Sequence, residues 1–260
     1  MNYAYVTLLT SVDYLPGVII LNRNLLELNS SYPLYVMVTD NIFEKVVKYL
    51  HKEKINYIKV PVIKYPPKTL RHMSNLRLET IASKINVFGL NQFNKVVYLD
   101  ADSFFMKNID ELFNYPNGSL YDDGNPNRGF CGLFVCIPWT HPLEYYITLI
   151  QNTTMWESDI IEELWFPFKT NLEYHIPYPY FININITNFN DLYPLENNLY
   201  GLHFCGEYKP WKYNNIDDYF KEFYQSCNDQ SELRNLLVKW YYEQYVEPLK
   251  QQYPELFSGT

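Results

Sequence analysis

The apolar positions of the N-terminal hundred residues alternate between two periods. Tyr3 to Thr10 is a run of strand-forming residues, and Leu15 to Leu28 repeats with a helical period, with Gly17 near its start. Leu34 to Val38 is a second strand ending at Thr39-Asp40, and Ile42 to Leu50 again has helical spacing. Tyr57 to Val62 predicts a short strand, Leu78 to Phe88 a helix, and Lys95 to Leu99 a buried strand. Strands alternating with helices at this spacing predict right-handed crossovers and a mostly parallel sheet, an α/β fold. In such a sheet, ligands sit beyond the carboxyl ends of the strands.

After Ile109 the pattern changes. Short strand-like runs (Gly132 to Ile137, Tyr180 to Ile186) lie between turns rich in Pro, Gly and Asn, with one helical stretch near Ser158 to Phe166. From Ile216 to Leu249 the helical period returns, with Tyr219, Phe220, Phe223, Leu233, Leu236, Leu237, Trp240 and Tyr241 on the apolar positions. Packing of these aromatics against the domain is the plain expectation, and a partner surface is the alternative. The chain thus reads as one domain, 1–260, with a sheet half to 102, a smaller lobe to 211 and a helical tail from 212.

The strand at Lys95 to Leu99 delivers Asp100-Ala101-Asp102 at its C-terminal end. In extended backbone, residues i and i+2 point the same way, so both carboxylates converge on one cation. Oxygen ligands of this type suit Mn²⁺, with Mg²⁺ as the alternative. A second compact segment, Gly201 to Trp211, offers His203, Gly206, Lys209 and Trp211. Imidazole completes a Mn²⁺ shell, glycine admits close backbone approach, and lysine gives a positive charge for a phosphate.

Composition narrows the partners. The chain has 260 residues, is 47% hydrophobic and 18% aromatic, and so has enough apolar surface for a full core. A formal charge of −8 argues against nucleic acid, which needs a basic face. No apolar run reaches the roughly 18 to 20 residues of a membrane span. No basic n-region precedes Tyr5-Val6-Thr7-Leu8-Leu9, so that run reads as a strand and the expected location is cytoplasmic. Cys131, Cys136, Cys205 and Cys227 lack CxxC spacing and read as reduced thiols. The sequons at Asn29, Asn117, Asn152 and Asn185 are read as chance.

Taken in order, these segments resemble glycosyltransferase family 8, of the glycogenin and galactinol synthase type. The resemblance rests on Ala4-Tyr5-Val6-Thr7-Leu8-Leu9-Thr10, Lys84, Leu99-Asp100-Ala101-Asp102, Asn108-Ile109-Asp110-Glu111-Leu112-Phe113 and the run His203 to Trp211. It implies a GT-A fold and retaining transfer from a UDP-sugar with Mn²⁺. Asp100, Asp102 and His203 would be the metal ligands. Leu8, Thr10 and Tyr14 would hold the uridine, with Ala101 beside the donor, and Lys84 would lie near the donor sugar and phosphates. Gly206 and Lys209 would bind the diphosphate. Asp122 would contact the sugar, and Asp159 would stand beside its anomeric carbon. A homodimer is likewise implied only by the resemblance.

The chain departs from that pattern at the sugar. Phe130-Cys131-Gly132 replaces Asn-Ser-Gly, Asp159-Ile160 replaces an Asp-Gln pair, and Ile186 occupies the place of a self-glucosylated tyrosine, with Tyr193 a loose substitute. UDP-glucose and UDP-galactose are the expected donors, and a protein, polyol or glycan the acceptor. Two other classes compete: a nucleotide-sugar binder without transfer, and an aspartyl phosphatase of the haloacid dehalogenase type. The phosphatases carry DxD on the first strand with Thr or Val following, whereas here the motif follows several βα units and precedes Ser103.

Overall fold

A computed structural model of the protein describes residues 1–66, 76–122, 129–138, 141–152, 159–161, 171–177, 180–184, 199–226 and 231–257. The alternating half folds as its periodicity predicts. Strand β1 (Tyr3–Leu9) leads into helix α1 (Leu15–Glu27), then β2 (Leu34–Thr39), α2 (Phe43–Lys52), β3 (Asn56–Val60) and β4 (Lys95–Leu99). Pro16 lies in the first turn of α1, where its missing N–H has no helical partner to lose.

A short β5 (Ser103–Phe105) follows, then β6 (Leu120–Asp122), β7 (Gly129–Cys136), α3 (Leu143–Asn152), β8 (His175–Ile176), β9 (Ile182–Asn183) and β10 (Gly201–His203). The main sheet has seven strands in the order β3-β2-β1-β4-β7-β6-β8. Its β3-β2-β1-β4 half is parallel, and β7 runs antiparallel to β4 and to β6. A second sheet has three strands, β5-β10-β9.

The period-2 alternation of β1 divides two cores. Tyr5 and Leu9 belong to the cluster that holds α1, α2 and the C-terminal helices, whereas Ala4, Val6 and Leu8 belong to the one that holds 82–93 and α3. Helices therefore cover both faces, as a parallel sheet requires.

The segment expected to be helical, 78–88, is so, as the 3-10 helix Leu76–Gly89. Its polar side chains serve the neighbouring chain: Ser83 Oγ accepts from the Ile63 N–H, and the Asn86 amide donates to the Pro61 carbonyl. The run expected at Tyr180 to Ile186 is a strand only at Ile182–Asn183 among the described residues, and 185–186 lie outside them. Of the stretch Ser158 to Phe166, residues 159–161 are helical and the others lie outside the described residues.

The tail forms α4 (Ile216–Ser226), α5 (Glu232–Tyr241), a π-helical turn (Tyr242–Val246) and α6 (Glu247–Gln252). Tyr219, Phe223 and Tyr241 are buried, as expected of packing, but Leu236 and Trp240 are exposed. The tail is tied to the sheet half by Glu53, which accepts from Arg23 (2.8 and 2.9 Å) and from the Tyr253 hydroxyl (2.5 Å). Cys131, Cys136 and Cys205 form no disulfide among the described residues, and no described helix is long and apolar enough to cross a membrane.

Candidate functional site

Strand β4 is a Val-Val-Tyr-Leu run with almost no exposure at the centre of the main sheet. The Asp100 N–H, just past its end, donates to the Gly132 carbonyl of β7 at 2.8 Å. The chain then turns: the Asp100 carbonyl accepts from the Ser103 N–H (3.1 Å) and from Ser103 Oγ (2.6 Å). The carboxylates of Asp100 and Asp102 thus converge through a turn, not through the extended backbone expected from their spacing. An i to i+3 bond closes the chain before a strand geometry can carry on.

Strand β10 runs antiparallel to β5, with His203 opposite Ser103. That register sets the imidazole beside the turn. His203 Nε2 lies 3.1 Å from Asp102 Oδ1 and 3.7 Å from Asp100 Oδ2. The Phe181 ring stacks on the imidazole, with centroids 4.8 Å apart. One potential ligand atom from each of Asp100, Asp102 and His203 lies within 4.8 Å of the others. Two carboxylates and one imidazole, gathered in this way, fit a hard or borderline divalent cation such as Mn²⁺ or Mg²⁺.

Two lysines close on the same group. Lys209, buried, donates to Asp102 Oδ2 and to the Phe204 carbonyl. Lys84, also buried, lies 3.0 Å from Asp100 Oδ1 and donates to the Cys131 carbonyl at 3.1 Å. Burial opposes the charge of Asp102, but Lys209 and then His203 outweigh it and hold the carboxyl well below its usual range. Burial likewise opposes Lys209, and Asp102 more than offsets it, so the ammonium is held protonated.

The loop between β10 and α4 needs Gly206, whose φ of 82° lies in the left-handed region. Three residues on, Lys209 turns inward, and the Trp211 indole N–H donates to the Asp13 carbonyl at 3.0 Å. The Tyr14 ring meets Trp211 edge-on at 6.2 Å, with Lys209 Nζ 5.4 Å from its centroid. Tyr14 is therefore brought to the cluster. Leu8 and Thr10 stand at the carboxyl end of β1, next to β4 in the sheet, Leu8 buried and Thr10 half-buried. Ala101 is buried at the turn itself.

Other expected residues stand apart. Asp122 ends β6 opposite Gly129, and its side chain lies outside the described residues, as does that of Phe130. Asp159 is exposed on the helical residues 159–161, while the next residue, Ile160, belongs to the second core with Cys131 and Tyr98. Ile186 and Tyr193 lie outside the described residues.

Sequence reasoning missed two contributors. Asp13 pairs with Lys212 at 2.7 Å and receives the Trp211 indole; a lone aspartate before a helix carries no distinctive signal. Gly17 was visible only as a glycine near a helix start. A Cβ there would lie 2.5 Å from the Ala101 carbonyl and 2.9 Å from the Trp211 ring, so α1 reaches the metal-type turn only because residue 17 has no side chain.

Residues 5–122, which include most of β1, Lys84 and the Asp100–Asp102 turn, match the profile of glycosyl transferase family 8. Over this stretch the chain is similar to the glycosyltransferases of family 8. Human glycogenin-1 is 25% identical over 266 aligned residues, covering 97% of this chain and 75% of that protein. Galactinol synthase 2 of Arabidopsis thaliana is 31% identical over 150 residues, covering 57% of this chain and only 42% of that protein. The crystal structure of the galactosyltransferase LgtC with donor and acceptor sugar analogues superposes with a TM-score of 0.55 at 14% identity, covering 89% of this chain and 98% of that one. The chain thus has the expected GT-A fold, and its parallel half carries the cluster at the carboxyl ends of the strands.

Proposed function

We propose that the protein is a retaining glycosyltransferase that takes a UDP-sugar, UDP-glucose or UDP-galactose, and uses Mn²⁺, with Mg²⁺ as the alternative, to glycosylate a protein, polyol or glycan. The observation that carries this reading is the convergence of Asp100, Asp102 and His203 within 4.8 Å, with Lys209 on the same carboxylate. Asp100, Asp102 and His203 would hold the cation, which supplies Lewis-acid stabilisation to a departing diphosphate.

This chain's own residues supply the rest. Lys209, kept protonated by Asp102, offers a fixed positive charge where the leaving group gains its negative charge. Gly206 opens the loop so that backbone N–H groups can approach phosphate oxygens. Leu8, Thr10 and Tyr14, at the end of β1 and the start of α1, would hold the uridine. Lys84, beside Asp100 and bonded to the carbonyl of Cys131, would lie near the donor sugar and phosphates. Asp122 would contact the sugar, and Asp159 would act at the anomeric carbon as nucleophile or as stabiliser of an oxocarbenium-like sugar. A cytoplasmic location and a homodimer belong to the same reading; three cysteines outside any disulfide among the described residues fit a reducing compartment.

The test is release of sugar from UDP-glucose and UDP-galactose with and without Mn²⁺. Release that requires the cation and vanishes in His203→Ala supports the reading, and metal-independent release overturns it. One observation favours a second reading, a nucleotide-sugar binder without transfer: Ile160, where the family has a polar residue, is a core residue. UDP binding with no sugar release over long incubation would select it.

A further inference from the structure

Strand β5 is three residues long and, among the described residues, pairs with β10 on one side only. The Asp102 carbonyl accepts from the Phe204 N–H at 3.0 Å, and the Met106 N–H donates to the Tyr200 carbonyl at 2.8 Å, so residues 102 and 106 turn their backbone polar groups toward β10. Alternation then points the N–H and C=O of Phe105 the other way, toward an edge that no strand covers among the described residues. Phe105 is fully buried, so these groups need a partner other than water.

Asn24 of α1 is that partner. Its Oδ1 accepts from the Phe105 N–H at 2.7 Å, and its Nδ2 donates to the Phe105 carbonyl at 2.8 Å. The amide reproduces, with one side chain, the pair of bonds that a neighbouring strand would make. Asn24 is itself buried, so the two groups satisfy each other without solvent. Gly17, two helical turns earlier on α1, lies under the Ala101 carbonyl. One helix therefore grips the chain just before Asp102 and just after it.

We propose that Asn24 is a positioning residue for the metal site: by holding Phe105 it fixes the β5–β10 register that sets His203 beside Asp102. This rests on the reading of Asp100, Asp102 and His203 as cation ligands. Asn24 touches none of them and acts through β5. An apolar side chain of the same size, Asn24→Leu, leaves both Phe105 groups without a partner and frees the edge. Asn24→Asp keeps the acceptor for the Phe105 N–H but sets a carboxylate oxygen against the Phe105 carbonyl.

The test measures Mn²⁺ uptake by electron paramagnetic resonance, without any nucleotide, together with amide hydrogen exchange. The proteins are the wild type, Asn24→Leu, Asn24→Asp and, as a stability control, Val46→Ala in the core face of α2. The Phe105 amide should exchange at least about tenfold faster in Asn24→Leu, with β1 and β2 unchanged. Mn²⁺ affinity should fall about tenfold or more in both Asn24 variants, measured where each is fully folded, and stay within about twofold in Val46→Ala. Faster exchange with unchanged Mn²⁺ affinity, or an equal loss in Val46→Ala, overturns the positioning role. Should Asn24→Leu fail to fold, Asn24→Asp carries the same comparison. Wild-type protein that takes up no Mn²⁺ overturns the metal reading itself, and the role with it, and is told apart because the loss is then already present without any substitution.

Discussion

Asp100 and Asp102 are two residues apart in one turn, yet they adjoin different sheets. Asp100 closes β4, a strand with neighbours on both sides in a seven-stranded sheet and apolar clusters on both faces. Asp102 opens β5, an edge strand of three residues in a three-stranded sheet. The first carboxylate is placed by hydrophobic burial over a large area. The second is placed by a few buried polar contacts: Lys209, His203, and the hold of Asn24 on Phe105. A broad apolar scaffold tolerates the loss of any one member, whereas a small polar assembly depends on each one.

The sharpest way to break this contrast is to remove each aspartate. Asp100→Ala and Asp102→Ala should both lower metal-dependent sugar release by at least about 100-fold. They should differ in stability. Asp102→Ala leaves the buried Lys209 without its carboxylate and should cost about 3–5 kcal/mol in urea unfolding. Asp100 is 23% exposed at the side chain, and its partner Lys84 keeps the Cys131 carbonyl, so Asp100→Ala should cost clearly less.

A core truncation in the large sheet should do the opposite. Leu99→Ala should lose about 2–5 kcal/mol of unfolding free energy, read from urea titration. Mn²⁺ affinity of the folded variant should remain within about twofold of the wild type, because β1 and β7 still fix β4. A large loss of Mn²⁺ affinity in this variant would remove the distinction between the two regions.

Gly17→Ala probes the seam between them. The added methyl would meet backbone, the Ala101 carbonyl, where neither partner is a flexible side-chain tip. The expected cost is about 1–3 kcal/mol, with weaker Mn²⁺ binding as the turn shifts. Thermal unfolding and metal titration of the same sample would separate the two effects.

The legibility of the chain follows the same division. β1, α1, β2, α2 and β4 could be read because each buries an apolar face long enough to show its period, and Asp100-Ala101-Asp102 could be read because it ends such a strand. His203, Gly206 and Lys209 were legible as residue types in a compact run. Strands of two or three residues, β5, β8, β9 and β10, are too short to show any period, and their pairing depends on partners far along the chain. The turn at Ala101 was misread as extended because the bond from Ser103 to the Asp100 carbonyl leaves no mark in hydrophobicity. Asn24 was illegible for a related reason: a polar residue inside a helical period signals a solvent face, yet here it satisfies a buried strand edge. On the sugar side, Asp122 was legible by residue type alone, and its side chain lies outside the described residues.

The smallest expected effect lies far from the site. Burial works against the Glu53 carboxylate, but hydrogen bonds from Arg23 and Tyr253 outweigh it and hold its pKa below the usual range. A depressed folded-state pKa gives stability that is present above the unfolded value, about 4.3, and is lost as pH falls through the folded one. Glu53→Gln should therefore be about 1 kcal/mol less stable at pH 7, with the difference shrinking below about pH 4. Unfolding titrations at several pH values would check this, and Mn²⁺ affinity should not change.

The most direct test of the central claim is anomalous diffraction at the manganese edge from crystals grown with Mn²⁺ and UDP. The account predicts one strong peak within bonding distance of Asp100, Asp102 and His203, with the Lys209 ammonium on a phosphate oxygen. Bound UDP with no peak between those three side chains would contradict it.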